Sequence, residues 1–347
     1  MKSLILIALL LGGLTMPIMA QEITAPQAPD QVQDLMPEET ESFGQGVLYI
    51  LKNAMQDLRP EIANASNICM AILAVMVLMS VLSHFPGATK EIIEFAGTIA
   101  VSCLLLSNAN TLITNGRETV SRLSEYGKLL LGVMATALAS QGGVTSSAAL
   151  YTGTAVFDAV LCGLISKALV PLIYVFLALA IVAAAMEEDL LKRLRDFIKW
   201  LLSWCLKTVL YIFTGYITIT GVVSGTTDQA ALKAAKLTIS GAVPVVGGIL
   251  SDASEAVLVS AGVVKNAVGI YGLLAVTAIV VGPFLQIGIQ YLLLKLTAGI
   301  CGVIAGKKNV QLVEDFSFAM GVLLAMTGAM SLMLLISMVC FMKGMGV

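Results

Sequence analysis

The feature that most constrains this chain is the recurrence of apolar runs of bilayer length. A hydrocarbon core of ~30 Å needs roughly 20 predominantly apolar residues in a crossing helix. Runs of that character lie near residues 68–85, 92–107, 157–186, 200–224, 267–284, 286–305 and 317–342. The fold class that follows is all-α: a polytopic integral membrane protein of about seven transmembrane helices, in a range of five to eight, with Gly/Pro-broken or re-entrant segments. The 58% hydrophobic content and 12% charge lie outside the norms of soluble domains. The run 92–107 is short, and 267–284 is divided from 286–305 only by Gly282-Pro283. The run 127–140, GKLLLGVMATALAS, is too short to cross and reads as a buried half-helix.

Residues 1–22, MKSLILIALLLGGLTMPIMAQE, join one Lys, a short apolar run, a Pro-containing break and Ala20 before polar sequence. That order reads as a secretory signal over 1–20, cleaved after Ala20. An uncleaved anchor is the alternative, because Ile18 is not the small residue usual at that place. Residues 21–46 carry six acids, three prolines and no Lys or Arg, so an acidic, disordered extracytoplasmic arm is expected. Over 47–66, Val47, Leu51, Ala54, Leu58 and Ile62 recur at helical spacing, which predicts an amphipathic helix on the membrane surface or against a partner. The remainder, 67–347, forms the polytopic membrane domain.

Charge sets the orientation. EEDLLKRLRDFIKW gathers Lys192, Arg193, Arg195 and Lys199 in one short connection, the densest basic cluster in the chain. The positive-inside rule places it in the cytoplasm, so an external N-terminus requires an odd number of crossings before residue 187. Three crossings satisfy this, with 108–156 and 225–266 outside and the C-terminus inside. The same segment is an interfacial helix by pattern, with Leu190, Leu191, Leu194 and Ile198 as its stripe and Glu188–Lys192 and Asp189–Arg193 as i,i+4 pairs. A solvated charged face explains it; so does a coupling helix that meets a cytoplasmic motor.

One external connection is unusual. SGAVPVVGGILSDASEAV, residues 240–257, has Pro244 and Gly247-Gly248 where a helix would be costly, yet is too apolar for an open loop. Irregular backbone at membrane depth is tolerated where protein buries it or where it lines a water-filled cavity, so a re-entrant or packed segment is expected. Ser251 or Asp252 then caps the next helix, and Glu255 favours its first turn. Pro244, Gly247, Gly248, Ser251, Asp252 and Glu255 are accordingly the candidate pathway residues. GGVTSSA at 142–148 matches GGILSDA at 247–253, a short sign of the internal repeats of transporters with broken helices. Four charges fall at or within spans: Asp158, Lys167, Lys207 and Lys295. Each must face a bundle interior, a cavity or another subunit, or snorkel to the surface.

Catalytic chemistry finds no support. With His84 the only histidine, neither an HExxH zinc site nor a Ser-His-Asp triad can be assembled. GxSxG and GxxxxGK[ST] are missing. The expectation is a non-enzymatic chain with no catalytic residues, no metal and no cofactors. The six cysteines lack CxxC spacing, and a net charge of -2 without a basic patch gives no footprint for nucleic acid.

The block LKAAKLTISGAVPVVGGILSDASEAVLVSAGVVKNAVGIYG, residues 232–272, together with the order of signal, acidic arm and small-residue-rich spans, resembles the stage III sporulation protein AE family of endospore-forming bacteria. The likeness extends more loosely over 43–345. It implies a multi-pass protein of the mother-cell membrane around the forespore, with its N-terminus in the intermembrane space. It further implies work beside the other stage III A proteins and, indirectly, the forespore membrane protein Q, in a channel or secretion-like complex. A cytoplasmic ATPase subunit, further copies of the chain and the lipid bilayer complete the expected partners. Three functions are open: a conducting or export-gate subunit, a membrane scaffold for ring-forming partners, and a stand-alone secondary transporter.

Overall fold

The computed structural model describes residues 26–37, 43–84, 90–140, 144–186, 188–222, 267–304 and 306–344. The described residues are helical, in this order: α1 Asp30–Gln33, α2 Phe43–Asp57, α3 Arg59–Leu82, α4 Lys90–Ser140, α5 Val144–Leu164, a π-turn Ile165–Leu169, α6 Val170–Met186, α7 Asp189–Val222, α8 Ala267–Ile304 and α9 Lys307–Gly344. Five among them are long and apolar enough to cross a membrane: Arg59–Leu82, Glu91–Ala137, Tyr151–Met186, Gly269–Ile304 and Lys307–Met342. The chain is thus an all-α polytopic membrane protein, with five such helices where seven runs were read.

Three differences separate the two readings, of which the last two lower the number, since 127–140 was not among the seven runs. The runs 92–107 and 127–140 are two parts of α4, whose 51 residues extend about 76 Å at 1.5 Å each. The expected half-helix is therefore the far end of a continuous one. The runs 267–284 and 286–305 join in α8, which carries Pro283 inside it. A proline forfeits one helical hydrogen bond, a loss membrane bundles absorb through their neighbours, and α8 is packed on α2, α3, α4 and α9 along its length. Third, α7 continues the charged segment into the run 200–222 without a break, and this helix is not among the five.

The π-turn has a local cause. Pro171 lacks an N–H and crowds the turn before it. Val170 N–H reaches back to Ile165 O, the wide spacing of a π-helix, and the helix resumes.

The centre of the bundle is α9. Its apolar window is 94% buried, against 22–44% for the other four. It packs on α4, α5, α6, α7 and α8, and Phe316, Phe341, Met320, Met330 and Met342 are fully enclosed. Its methionines suit irregular gaps between five neighbours.

Helix ends sort into two levels. The α6–α7 turn, the α8–α9 turn and the start of α4 share one end, tied by Lys308 Nζ to Glu94 Oε2 (3.3 Å) and by Thr98 Oγ1 donating to Asn309 Oδ1 (2.8 Å). Residues 26–37 and the start of α8 share the other, where Tyr126 Oη donates to Pro26 O (3.2 Å) and Ala28 N–H donates to Tyr271 Oη (3.2 Å). Three helical passages therefore separate residue 26 from residue 187, the odd number that charge requires. The C-terminal end of α9 returns to the level of residues 26–37, because α8 is one helix. It does not lie beside the basic connection, which corrects the expectation of a C-terminus on that side.

The N-terminal segment also departs from expectation. Where composition suggested a disordered arm, residues 26–36 rest on the bundle through Ala28, which is 2% exposed, and through Val32, Leu35 and Met36. The next helix buries Phe43, Gly46, Ile50 and Ala54; of the stripe read as Val47, Leu51, Ala54, Leu58 and Ile62, Ala54 and Leu58 are buried, while Val47, Leu51 and Ile62 are half-buried. Its partner is α8 of the same chain: a Cβ on Gly46 would stand 2.6 Å from Leu274 Cδ2. Glycine permits that approach. The stripe runs on through Leu58, Ala65, Cys69, Ile72 and Met76 of α3.

Candidate functional site

The basic segment closes onto the central helix. In α7, Arg195 Nη1 lies 3.1 Å from Asp315 Oδ2 and Lys199 Nζ lies 3.2 Å from Asp315 Oδ1. Gln311 Nε2, one turn earlier on α9, also donates to Oδ1 at 3.2 Å. Asp315 is 0% exposed, so two cations and an amide converge on one enclosed carboxylate. The Oδ2 contact is an ion pair without an aligned hydrogen bond. Arg195 spends its other face on Asp196 Oδ1, through Nη2 at 2.8 Å and Nε at 3.0 Å.

The contact continues inward. Lys199 Nζ stands 4.8 Å from the centre of the Phe318 ring, within the range of a cation–π interaction. Phe318 meets Phe176 of α6 edge to face, with centroids 5.4 Å apart. One basic turn is thereby linked to α9 and, through it, to α6.

The remaining basic residues stay outside this arrangement. Lys192 pairs with Asp189 at 3.3 Å, an i,i+3 contact in place of the i,i+4 pair with Glu188. Arg193 is exposed and has no ion pair among the described residues, so the Asp189–Arg193 pair does not form. The apolar stripe also divides. Ile198, Leu202 and Leu206 face the bundle, while Leu190, Leu194, Phe197, Trp200 and Trp204 face outward. The outward rings follow one another at 6.0 Å and 6.1 Å.

The four charges at or in spans separate by sign. Asp158 is 1% exposed and accepts a 2.6 Å hydrogen bond from Ser124 Oγ of α4, with no partner at Oδ1. Lys167, Lys207 and Lys295 are exposed on the outside of the bundle. Of the environments the sequence allowed them, an interior position is excluded. Pro244, Gly247, Gly248, Ser251, Asp252 and Glu255 lie outside the described residues, as do the signal residues through Ala20 and most of the block 232–272.

Sequence reasoning missed Asp315, Gln311 and Ser124. Asp315 stands two residues before the span read as 317–342, where an acid passes for a boundary marker. Its signal was the density of cations on α7, which asks for a counter-charge. Ser124 had a similar one, because an acid inside a span requires a donor.

Among the described residues no three His, Cys, Asp or Glu side chains stand close enough to hold a metal. His84 Nδ1 donates to Ser80 O at 2.7 Å, a helix-end contact.

Comparison with known proteins gives the arrangement its place. Residues 30–344 match the sequence model of the family described as Stage III sporulation protein AE. The chain is 25% identical over 265 residues to the Stage III sporulation protein AE of Bacillus subtilis (strain 168), covering 76% of this chain. It spans 66% of that relative's length, just under two thirds. No solved structure matches. With nearly the whole described bundle inside the family match, from the docked N-terminal segment to the end of the central helix, this chain belongs to the stage III sporulation protein AE family.

Proposed function

We propose that the chain is a non-enzymatic membrane subunit of a channel or secretion-like complex between mother cell and forespore, built with the other stage III A proteins and facing the forespore membrane protein Q. It sits in the mother-cell membrane with the α7 basic turn in the cytoplasm and residues 26–37 in the intermembrane space. The reading is supported by the family and by the four Lys and Arg at the start of α7. The observation that carries it is the filled axis: α9 occupies the middle of the bundle. A stand-alone transporter holds its substrate in a cavity near the midplane between repeats. A chain whose centre is a buried helix instead contributes a wall, and the conduit lies between subunits. The exposed lysines of the outer surface suit that placement, since an outward Lys at membrane depth needs water, a headgroup or a partner.

The same filled axis favours a second reading, a scaffold that holds ring-forming partners and conducts nothing. Single cysteines at Gly248, Ser251, Glu255 and Lys295, in an otherwise Cys-free chain within the assembled complex, separate the two. Labelling by a small membrane-impermeant reagent, with larger reagents excluded, is expected for a conduit wall. Complete protection at all four positions supports the scaffold. Failure of the chain to co-purify with any stage III A protein from sporulating cells sinks both.

A further inference from the structure

A second surface lies on the far side of α7 from Asp315. Ile198, Leu202 and Leu206 turn inward, whereas Arg193, Phe197, Trp200 and Trp204 follow at helical spacing and share the outward face. The three rings are each more than half exposed, with centroids 6.0 Å and 6.1 Å apart along the row. Both tryptophans of the chain stand in it.

The row offers donors and no acceptor. Neither indole N–H has a partner among the described residues, and Trp suits places where one side of the ring is apolar and its N–H finds an oxygen. Arg193 is exposed and free of ion pairs among the described residues, while Lys192, Arg195 and Lys199 are held by Asp189, Asp196 and Asp315. Those pairs also commit Asp189 and Asp196, the acids nearest the row. What remains is one guanidinium, with the first indole about 10 Å further along the helix axis.

An occupant that fits has a negative charge at one end, further acceptors at a second depth and an apolar body between the rings. A phospholipid has this order: phosphate oxygens, then ester carbonyls, then acyl chains. A zwitterionic headgroup brings its own ammonium, which competes with Arg193 for the phosphate, whereas an anionic headgroup brings none. Trp concentrates at membrane interfaces, and Lys or Arg beside a membrane favours anionic lipid. We infer that the outward face of α7 binds an anionic phospholipid, its headgroup at Arg193 and its ester region and chains along Phe197, Trp200 and Trp204. The inference rests on the reading above only for placing the basic turn at a membrane surface, and it holds whether or not the chain conducts.

The test uses the intrinsic fluorescence of the full chain in vesicles of phosphatidylcholine mixed with phosphatidylglycerol, one lipid at a time brominated in its acyl chains. Because both tryptophans lie on this face, quenching reports on it alone. Phosphatidylglycerol should bind about fivefold more strongly than phosphatidylcholine, the effect of one Lys or Arg near an anionic surface, and the preference should fall as salt rises. Arg193→Gln should bring the ratio to about one, with quenching in a fully brominated bilayer and the melting temperature unchanged, and Arg193→Lys should restore most of it. Equal binding of the two lipids by the wild-type chain would overturn the inference. So would a preference that persists in Arg193→Gln, which places the lipid elsewhere, or the loss of quenching in the assembled complex, which gives the face to a protein partner. Failure here leaves the complex itself to the co-purification described above.

Discussion

Replacing Asp315 by Asn tests whether the basic turn is anchored by charge. The substitution keeps the shape and removes the counter-charge of Arg195 and Lys199. The two cations contribute unequally. The Lys199 side chain is 35% exposed, so water screens its share to well under 1 kcal/mol. Arg195 is 13% exposed and Asp315 1%, so this pair behaves as a buried one. Removing one member of a buried pair costs roughly 3–5 kcal/mol, most of it the penalty on the charge left behind. Arg195 keeps Asp196 on its other face, which places the expected loss at the lower bound, about 3 kcal/mol. That is about two powers of ten in the folding equilibrium. The assay is equilibrium unfolding in mixed micelles, with protease sensitivity at the α6–α7 turn as a local probe. Lys199→Met should cost less than about 1 kcal/mol. The double variant Arg195→Met with Asp315→Leu should recover most of the loss, since apolar replacement of a buried pair is often near neutral. An Asp315→Asn protein within about 0.5 kcal/mol of wild type, or a double variant that only sums the single losses, would refute the anchor.

Three further expectations use the same unfolding measurement. Asp158→Asn should be neutral or stabilising by up to about 1 kcal/mol, because Ser124 keeps an acceptor and a charge with an unpartnered oxygen is removed, whereas Ser124→Ala should cost about 1–3 kcal/mol by stranding that carboxylate. Phe316→Ala, at a fully enclosed position of α9, should cost about 3–5 kcal/mol, and a smaller loss would mean that α9 is less surrounded than the packing indicates. Lys207→Met and Lys295→Met should stay within about 0.5 kcal/mol in the isolated chain, while any loss of sporulation would then reside in assembly or transport.

What the sequence disclosed follows from what a bilayer enforces. Length and apolarity disclosed the helices, because an uncovered backbone in lipid allows little else. Boundaries were less legible. Gly282-Pro283 carries the ordinary marks of a break, and only neighbours on both sides of α8 show why the helix passes through. The parity of crossings before residue 187 was readable from Lys192, Arg193, Arg195 and Lys199. The parity after it was not, since one merged helix moved the end of α9 to the opposite level. The segment 26–37 looked unstructured because its few apolar residues were judged alone. Ala28 and Met36 are too few to form a core, yet enough to dock on one already made.

The central position of α9 was the least legible feature, and the reason is physical. Tyr151–Met186 is the more apolar helix, yet far less of it is buried than of α9. Lipid tails are as apolar as Leu, so in a membrane apolarity does not distinguish a side chain facing protein from one facing lipid. The distinguishing signal is the distribution of polar groups. Asn309, Asp315, Ser317, Thr327, Ser331 and Ser337 recur along α9, and all are buried. Ser317 donates across to Tyr291 O on α8 at 3.2 Å, while Thr327 and Ser337 turn back to the carbonyls of Leu323 and Met333. A helix that presents hydroxyls and a carboxylate in several directions has no direction left for lipid. Asp315 extends that argument to α7, whose cations reach the interior of the bundle only because the helix at its axis can answer their charge.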